Sequence, residues 1–164
     1  MKTASHLCFF LFILLLVSCE AEKPNIKPEQ AAFNSGLVQA GLLENGAATV
    51  QENPGLLESL RVFSGKESSF SNLEILPGKK FYLIGTITNK LESYDFAYPL
   101  IKKGIILFLD NGQNDAVIHK CKTNSVCSRC TFSKDADGNV DGCSCKAFVN
   151  QGSCNHTLLI IEDR

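Results

Sequence analysis

The amino-acid sequence predicts an α+β fold, in which short N-terminal helices precede a small antiparallel β-sheet and a disulfide-rich C-terminal hairpin region. Two observations favour this fold. The apolar residues change from a helical to a strand-like period near residue 80, and six of the eight cysteines lie at or after position 121. Because no cysteine lies between Cys19 and Cys121, we expect disulfides to hold the C-terminal part alone.

Both predicted helices lie before residue 65. Residues 29–44 carry apolar side chains at helical spacing, and Gly46 follows as a helix stop. A second helix is predicted over residues 54–63, since Asn53 suits an N-cap and Pro54 suits a first turn.

The predicted strands are runs rich in aromatic and β-branched residues between turn signals. They cover residues 80–88, 104–110, 115–121, 128–133, 140–145 and 157–162. We expect a looped hairpin between 104–110 and 115–121 around Asn111-Gly112, and a second hairpin between 128–133 and 140–145 around Asp137-Gly138.

The N-terminus has the pattern of a secretion signal. Lys2 supplies a positive start, and residues 7–17 form an unbroken apolar run. Such a run is too short to cross a hydrocarbon layer of about 30 Å as a permanent helix. We therefore expect residues 1–18 to be a signal peptide.

The end of this leader, Leu16-Val17-Ser18-Cys19, resembles the lipobox of bacterial lipoproteins. The resemblance implies that the Cys19 thiol is alkylated by a diacylglycerol and that cleavage makes Cys19 the first residue. Two or three acyl chains hold a protein on a membrane stably, whereas a single chain does so only marginally. The alternative is plain cleavage after Ala21 and a secreted product.

The resemblance also bears on domain organisation and location. Residues 19–28 are polar and contain two prolines, which indicates a flexible tether. Residues 29–164 then form a single small domain with a cysteine-rich tail at 121–154. By resemblance the protein is lipid-anchored in the cell envelope, and Glu20 after the cysteine favours the outer membrane.

The tail cysteines predict three disulfides, because an exported protein meets an oxidising compartment. They are Cys121, Cys127, Cys130, Cys143, Cys145 and Cys154. Six cysteines allow 15 connectivities, and the sequence does not select among them. A hairpin around Asp137-Gly138 would, however, bring Cys130 close to Cys143 or Cys145.

Other chemistries fit the tail less well. Cys127-x2-Cys130 with Cys143-x-Cys145 offers four thiolates, but the pair separated by one residue fits a zinc site poorly. The C-x-x-C motif lacks the strand and helix of a thioredoxin. Residues 133–144 resemble a calcium loop, but they end in Ser144 where a bidentate glutamate is required, so a polar hairpin turn is favoured.

Composition and motifs narrow the function. Sixteen basic residues against seventeen acidic ones, without a basic run, argue against nucleic-acid binding. The sequence has no nucleophile elbow, phosphate loop, dinucleotide fingerprint or zinc-protease motif, so no catalytic residue is nominated.

We expect a non-catalytic binding or structural module without a cofactor. Its expected partners are a membrane, through the lipid anchor, and an unidentified protein or small-molecule ligand. The alternative is a metal-binding or thiol-redox protein that uses the tail cysteines.

Overall fold

The structure is a computed structural model that describes residues 36–110, 116–124, 127, 129–145 and 153–160. The predicted leader, tether and lipid attachment at Cys19 lie outside these residues. The described part contains ten strands and one helix: β1 Leu37–Glu44, β2 Ala47–Val50, α1 Pro54–Ser64, β3 Ser69–Leu76, β4 Phe81–Thr88, β5 Ser93–Lys103, β6 Ile106–Asp110, β7 Val117–Thr123, β8 Cys130–Lys134, β9 Val140–Cys145 and β10 Cys154–Ile160.

Eight strands form one antiparallel sheet, and β8 and β9 form a separate two-stranded sheet. The long strand β5 organises the large sheet. It pairs with β4 over residues 93–100, with β7 over 95–97 and with β6 over 101–103. The remaining strands extend from these pairs, with β3 beside β4, β10 beside β7, and β1 and β2 beyond β6.

The predicted helix over residues 29–44 is wrong for residues 37–44, which form β1; residues 29–35 lie outside the described part. Asn45 and Gly46 have φ values of 50° and 81° and join β1 to β2. An Asn-Gly pair with both residues at positive φ is the preferred two-residue hairpin turn. Gly46 therefore belongs to a hairpin, and its interpretation as a helix stop overlooked the asparagine before it.

The second predicted helix is confirmed as α1. The Asn53 side chain accepts a hydrogen bond from the Leu56 backbone N–H at 2.9 Å, and Pro54 occupies the first turn. In place of the several short helices expected, α1 is the only helix among the described residues. The antiparallel sheet and the C-terminal hairpin are as predicted.

Strands lie at all six predicted positions, β9 with the predicted ends and the other five with shifted ends. The hairpin of β8 with β9 is confirmed, but β6 and β7 do not pair with each other. Instead, β6 and β7 pair with different segments of β5. Strands β3 and β5 were not predicted, since half of the residues of β3 are polar and β5 contains Pro99, a residue that usually argues against a strand.

The large sheet is covered on both faces. The main core lies on one face, where Leu56 and Leu60 of α1 belong to the same buried cluster as Phe96 of β5. On the other face, Val140 of β9 packs with Tyr82 and Ala97. The β8–β9 hairpin therefore covers part of this second face of the sheet. Within the described residues, no helix has the length and apolar character needed to cross a membrane.

Candidate ligand-binding cleft and sulfur cluster

Three disulfides tie the β8–β9 hairpin to its surroundings, and they are Cys121–Cys143, Cys127–Cys145 and Cys130–Cys154. The first links β9 to β7, the second links β9 to the segment before β8, and the third links β8 to β10. All six predicted disulfide cysteines are therefore paired. Each bridge leaves the hairpin, so the two strands are held by three covalent links to other parts of the chain.

The suggested pairing of Cys130 with Cys143 or Cys145 is wrong. Cys130 and Cys145 do lie directly opposite each other in the β8–β9 ladder. Each of them nevertheless bonds to a cysteine outside the hairpin. The hairpin geometry alone could not show this, because the partner cysteines come from segments whose positions depend on the large sheet.

Two of the bridges lie side by side. The sulfur atoms of Cys127, Cys145 and Cys154 are all within 4.8 Å of one another. Between the two bridges, Cys127 Sγ lies 3.5 Å from Cys154 Sγ. We call Cys127, Cys130, Cys145 and Cys154 the sulfur cluster.

A cleft runs between β8 and the exposed parts of β3, β4 and β5. Its first cavity, of about 250 Å³, is lined by Asn72, Glu74, Leu76, Ile84, Gly85, Thr86, Asp95, Arg129, Cys130, Thr131 and Phe132. A second cavity, of about 300 Å³, shares four of these residues and extends along β5 and β7. The shared residues are Asn72, Thr86, Asp95 and Arg129. These volumes are near the lower end of the roughly 300–1,000 Å³ range of small-molecule sites.

The shared wall of the two cavities is polar and ordered. The Thr86 hydroxyl donates a hydrogen bond of 2.7 Å to Asp95 Oδ1, which fixes that carboxylate. Asn72 has a φ of 54° at a bulge in β3, where the pairing with β4 shifts register between Ser71 and Glu74. A bulge of this kind redirects a side chain away from the regular alternation.

Charges of both signs meet in the cleft. Glu74 and Asp95 supply carboxylates from the sheet, and Arg129 supplies a guanidinium from the other side. The apolar part of the lining comes from Leu76, Ile84 and Phe132. The cleft thus offers donors, acceptors and an apolar surface within one small volume.

A cluster of charged residues lies next to Tyr94 and outside the lining of both cavities. Glu92 accepts hydrogen bonds from Lys120 and from Lys122, the latter at 2.9 Å. These bonds hold the pKa of Glu92 below its usual value. Lys120 Nζ also lies 3.9 Å from the ring centre of Tyr94, which lines the second cavity. Burial, and secondarily Glu92, raises the pKa of Tyr94.

The two histidines near the tail form a pair across β7 and β10. His119 Nδ1 and His156 Nε2 are 3.1 Å apart, within hydrogen-bonding distance. Burial and, less strongly, His156 lower the pKa of His119, while Asp141 opposes this effect. Their contact depends on the register of β7 with β10, which the sequence alone does not give.

The resemblance of residues 133–144 to a calcium loop is explained by the hairpin turn. Asp135 Oδ1 accepts hydrogen bonds from the backbone N–H groups of Asp137 and Asn139. Lys79 pairs with the Asp137 carboxylate from outside the hairpin. These contacts use the turn carboxylates to fix the turn and to attach it to the large sheet, as a polar turn requires.

Sequence reasoning missed the cleft residues Asn72, Glu74, Thr86 and Asp95. The sequence marks them only as polar side chains near or within strands. Because β3 and β5 were not predicted as strands, nothing indicated that these side chains lie close together. No family model, curated protein or solved structure matched the chain.

Proposed function

We propose that this chain is an exported, lipid-anchored protein of the cell envelope whose β-domain binds a small polyhydroxylated ligand, such as a saccharide, in the cleft. The cleft carries this proposal. Its two cavities share a wall of carboxylate, amide, hydroxyl and guanidinium groups, which are the groups that bind hydroxyl-rich ligands.

The mixture of groups favours a neutral, hydroxyl-rich ligand over a strongly charged one. Glu74 and Asp95 would repel an anion, and Arg129 would repel a cation. A ligand hydroxyl both donates and accepts, so it can donate to a carboxylate and accept from the guanidinium. The apolar surface of Phe132 and Leu76 suits the C–H face of a sugar ring.

A glycan array probed with the full exported chain in detergent tests the proposal, followed by calorimetry with each glycan retained. Hydrogen bonds to charged groups contribute about 1.5–3 kcal/mol, so Arg129→Ala or Asp95→Asn should weaken binding at least about tenfold. Asp95→Asn keeps one acceptor oxygen for Thr86, removes the charge and replaces the second oxygen by an N–H donor. Lys103→Ala, on an exposed residue outside the cleft lining, is the matched control. Failure of every glycan to bind, or equal binding by all variants, would contradict the proposal.

The anchor has its own test, the intact mass of the native protein from a membrane fraction. A chain that starts at Cys19 with acyl chains is the expected result. A chain that starts at Glu22 without lipid would remove the anchor from the proposal and leave the cleft test unaffected.

A metal or thiol-redox role for the sulfur cluster is the second candidate. Three sulfur atoms lie within 4.8 Å of one another. Zinc–sulfur bonds of about 2.3 Å place tetrahedral thiolates about 3.8 Å apart, so the reduced cluster has a suitable size. The same cysteines are paired as disulfides here, which favours the binding module. Two results together would make the metal role the first candidate. The thiols would be alkylated without reductant after chelator treatment, and mass spectrometry of the native protein would detect bound metal.

A further inference from the structure

The sulfur cluster contains two disulfides whose atoms are arranged for exchange. Cys127 and Cys154 belong to different bridges, yet their sulfur atoms are 3.5 Å apart. Cys130 and Cys145 also belong to different bridges, and they are direct partners in the antiparallel β8–β9 ladder. Bonds between Cys127 and Cys154 and between Cys130 and Cys145 would therefore use the same four cysteines as the two present bridges.

The alternative pairs fit disulfide geometry in the folded chain. Directly opposed residues of an antiparallel ladder have Cα atoms about 4.5–5.5 Å apart, and disulfides span about 4.4–6.8 Å between Cα atoms. A Cys130–Cys145 bond would therefore close across the hairpin without moving its strands far. Contact between Cys127 and Cys154 already brings the other pair together.

We propose that the bridges Cys127–Cys145 and Cys130–Cys154 form one thiol-responsive exchange site, which an incoming small thiol converts to the pairs Cys127–Cys154 and Cys130–Cys145. The thiol acts as a catalyst and is released at the end. The Cys121–Cys143 bridge stays closed throughout.

In the first step, the thiolate of the incoming small thiol attacks Cys145 Sγ. A sulfur–sulfur bond forms between the thiol and Cys145, the Cys127–Cys145 bond breaks, and Cys127 leaves as a thiolate. Exposure favours this direction of attack, because Cys145 is half-buried whereas Cys127 is only 6% exposed. The carbonyl oxygen of Arg129 lies 3.1 Å from Cys127 Sγ and disfavours a lasting thiolate there.

In the second step, the Cys127 thiolate attacks Cys154 Sγ, its neighbour at 3.5 Å, and releases Cys130 as a thiolate. In the third step, Cys130 attacks Cys145 Sγ in the mixed disulfide and expels the original thiolate. Each step forms one sulfur–sulfur bond and breaks one. The cycle consumes no oxidant or reductant, and the number of disulfides is unchanged.

The third bridge packs in the same cluster of cysteines but lacks a partner for exchange. Cys121 is 1% exposed and Cys143 is half-buried, so exposure alone does not distinguish this bridge from Cys127–Cys145. Neither Cys121 nor Cys143 belongs to the group of sulfur atoms within 4.8 Å of one another, and neither is the ladder partner of another cysteine, as Cys130 is of Cys145. The Cys121–Cys143 bridge therefore keeps β9 attached to β7 while the other two bridges re-pair.

Trypsin distinguishes the two pairings, because it cleaves after Arg129 and so separates Cys127 from Cys130. The present pairing links peptide 130–134 to peptide 147–164, and it links peptides 121–122 and 123–129 to peptide 135–146. The exchanged pairing links 123–129 to 147–164, and it links 121–122 and 130–134 to 135–146. These products differ in mass.

The experiment treats the full exported chain with reduced glutathione near pH 8, blocks free thiols with N-ethylmaleimide at successive times, and then digests the protein. We expect the exchanged peptides to accumulate at a rate that increases with glutathione concentration. Their final fraction should stay constant at catalytic glutathione concentrations, because the thiol is regenerated. The double variant Cys121→Ser/Cys143→Ser should exchange as well, and Cys130→Ser/Cys154→Ser should yield only the glutathione adduct.

Two results would overturn the proposal. One is persistence of the present pairing alone at every glutathione concentration. The other is the appearance of many pairings that include Cys121, which would indicate general unfolding. Ligand binding in the cleft is measured on the oxidised chain without added thiol, so this proposal and the proposed function fail separately.

Discussion

At the scale of single residues, Asn53 connects the helix to the sheet. Its side-chain oxygen caps α1, and its amide nitrogen donates hydrogen bonds to the backbone oxygens of Gln39 and Gln51. Asn53→Ala removes all of these bonds, and loss of a cap alone costs about 1–2 kcal/mol. We expect the free energy of unfolding to fall by at least that amount in urea titrations. Asn53→Asp retains the capping oxygen and should lose less; an equal loss would show that the cap contributes little.

Glu92 makes stability depend on pH. Its pKa is lowered in the folded state by hydrogen bonds from Lys120 and Lys122. Its stabilising contribution is therefore complete above the unfolded value of 4.5 and is lost as pH falls through the lowered folded pKa. Urea titrations from neutral pH to about pH 3 should show a smaller decrease in stability for Glu92→Gln than for the parent chain. Parallel curves for the two proteins would contradict this assignment.

At the scale of elements, α1 stabilises the fold through one face. Leu60 is fully buried in the main core, whereas Val62 on the same helix is 70% exposed. Leu60→Ala should lower the free energy of unfolding by about 2–5 kcal/mol, since it removes buried methyl groups and leaves a cavity. Val62→Ala changes a side chain of similar type at an exposed position, so its effect should stay within about 0.5 kcal/mol. Chemical denaturation measures both, and similar losses would mean that α1 is packed differently.

Elements with local signals were predictable from the sequence, and those that depend on distant partners were not. Helix α1 has its cap and proline within one turn, and β8–β9 has its turn between its strands. In contrast, β1 carries an apolar pattern compatible with a helix. Its pairing with β6, more than 60 residues away in sequence, decides its conformation. Strand β5 has buried side chains at alternate positions from Tyr94 to Leu100, but Pro99 argued against a strand, and only the pairing with β4 shows how the strand accommodates it.

Of the candidate site, only the cysteines could be predicted from the sequence, because cysteines in an exported protein indicate disulfides by their identity alone. The cleft requires Asn72 and Glu74 from β3 and Asp95 from β5 to meet Arg129, which precedes β8. Ordinary polar residues of this kind occur on any exposed strand. Their association follows from the position of the β8–β9 hairpin, which three disulfides and a small apolar cluster determine.

At the scale of the whole molecule, the hairpin and the large sheet should respond differently to reduction. Val140 is the hairpin's one fully buried side chain in the cluster shared with the sheet, whereas the main core contains no cysteine. The bridges close loops with sequence separations of 22, 18 and 24 residues, and each contributes about 3 kcal/mol in the chain-entropy account. Loss of all three should therefore release the hairpin while β4 and β5 remain packed against α1.

Hydrogen exchange with and without a phosphine reductant tests this expectation. Amides of residues 130–134 and 140–145 should lose most of their protection on reduction. Those of β4 and β5 should retain theirs, because their ladder and the main core remain intact. An equal loss of protection in β4, β5 and the hairpin would show that the disulfides stabilise the entire sheet. Unchanged protection in the hairpin would show that its noncovalent contacts with Tyr82 and Ala97 hold it in place.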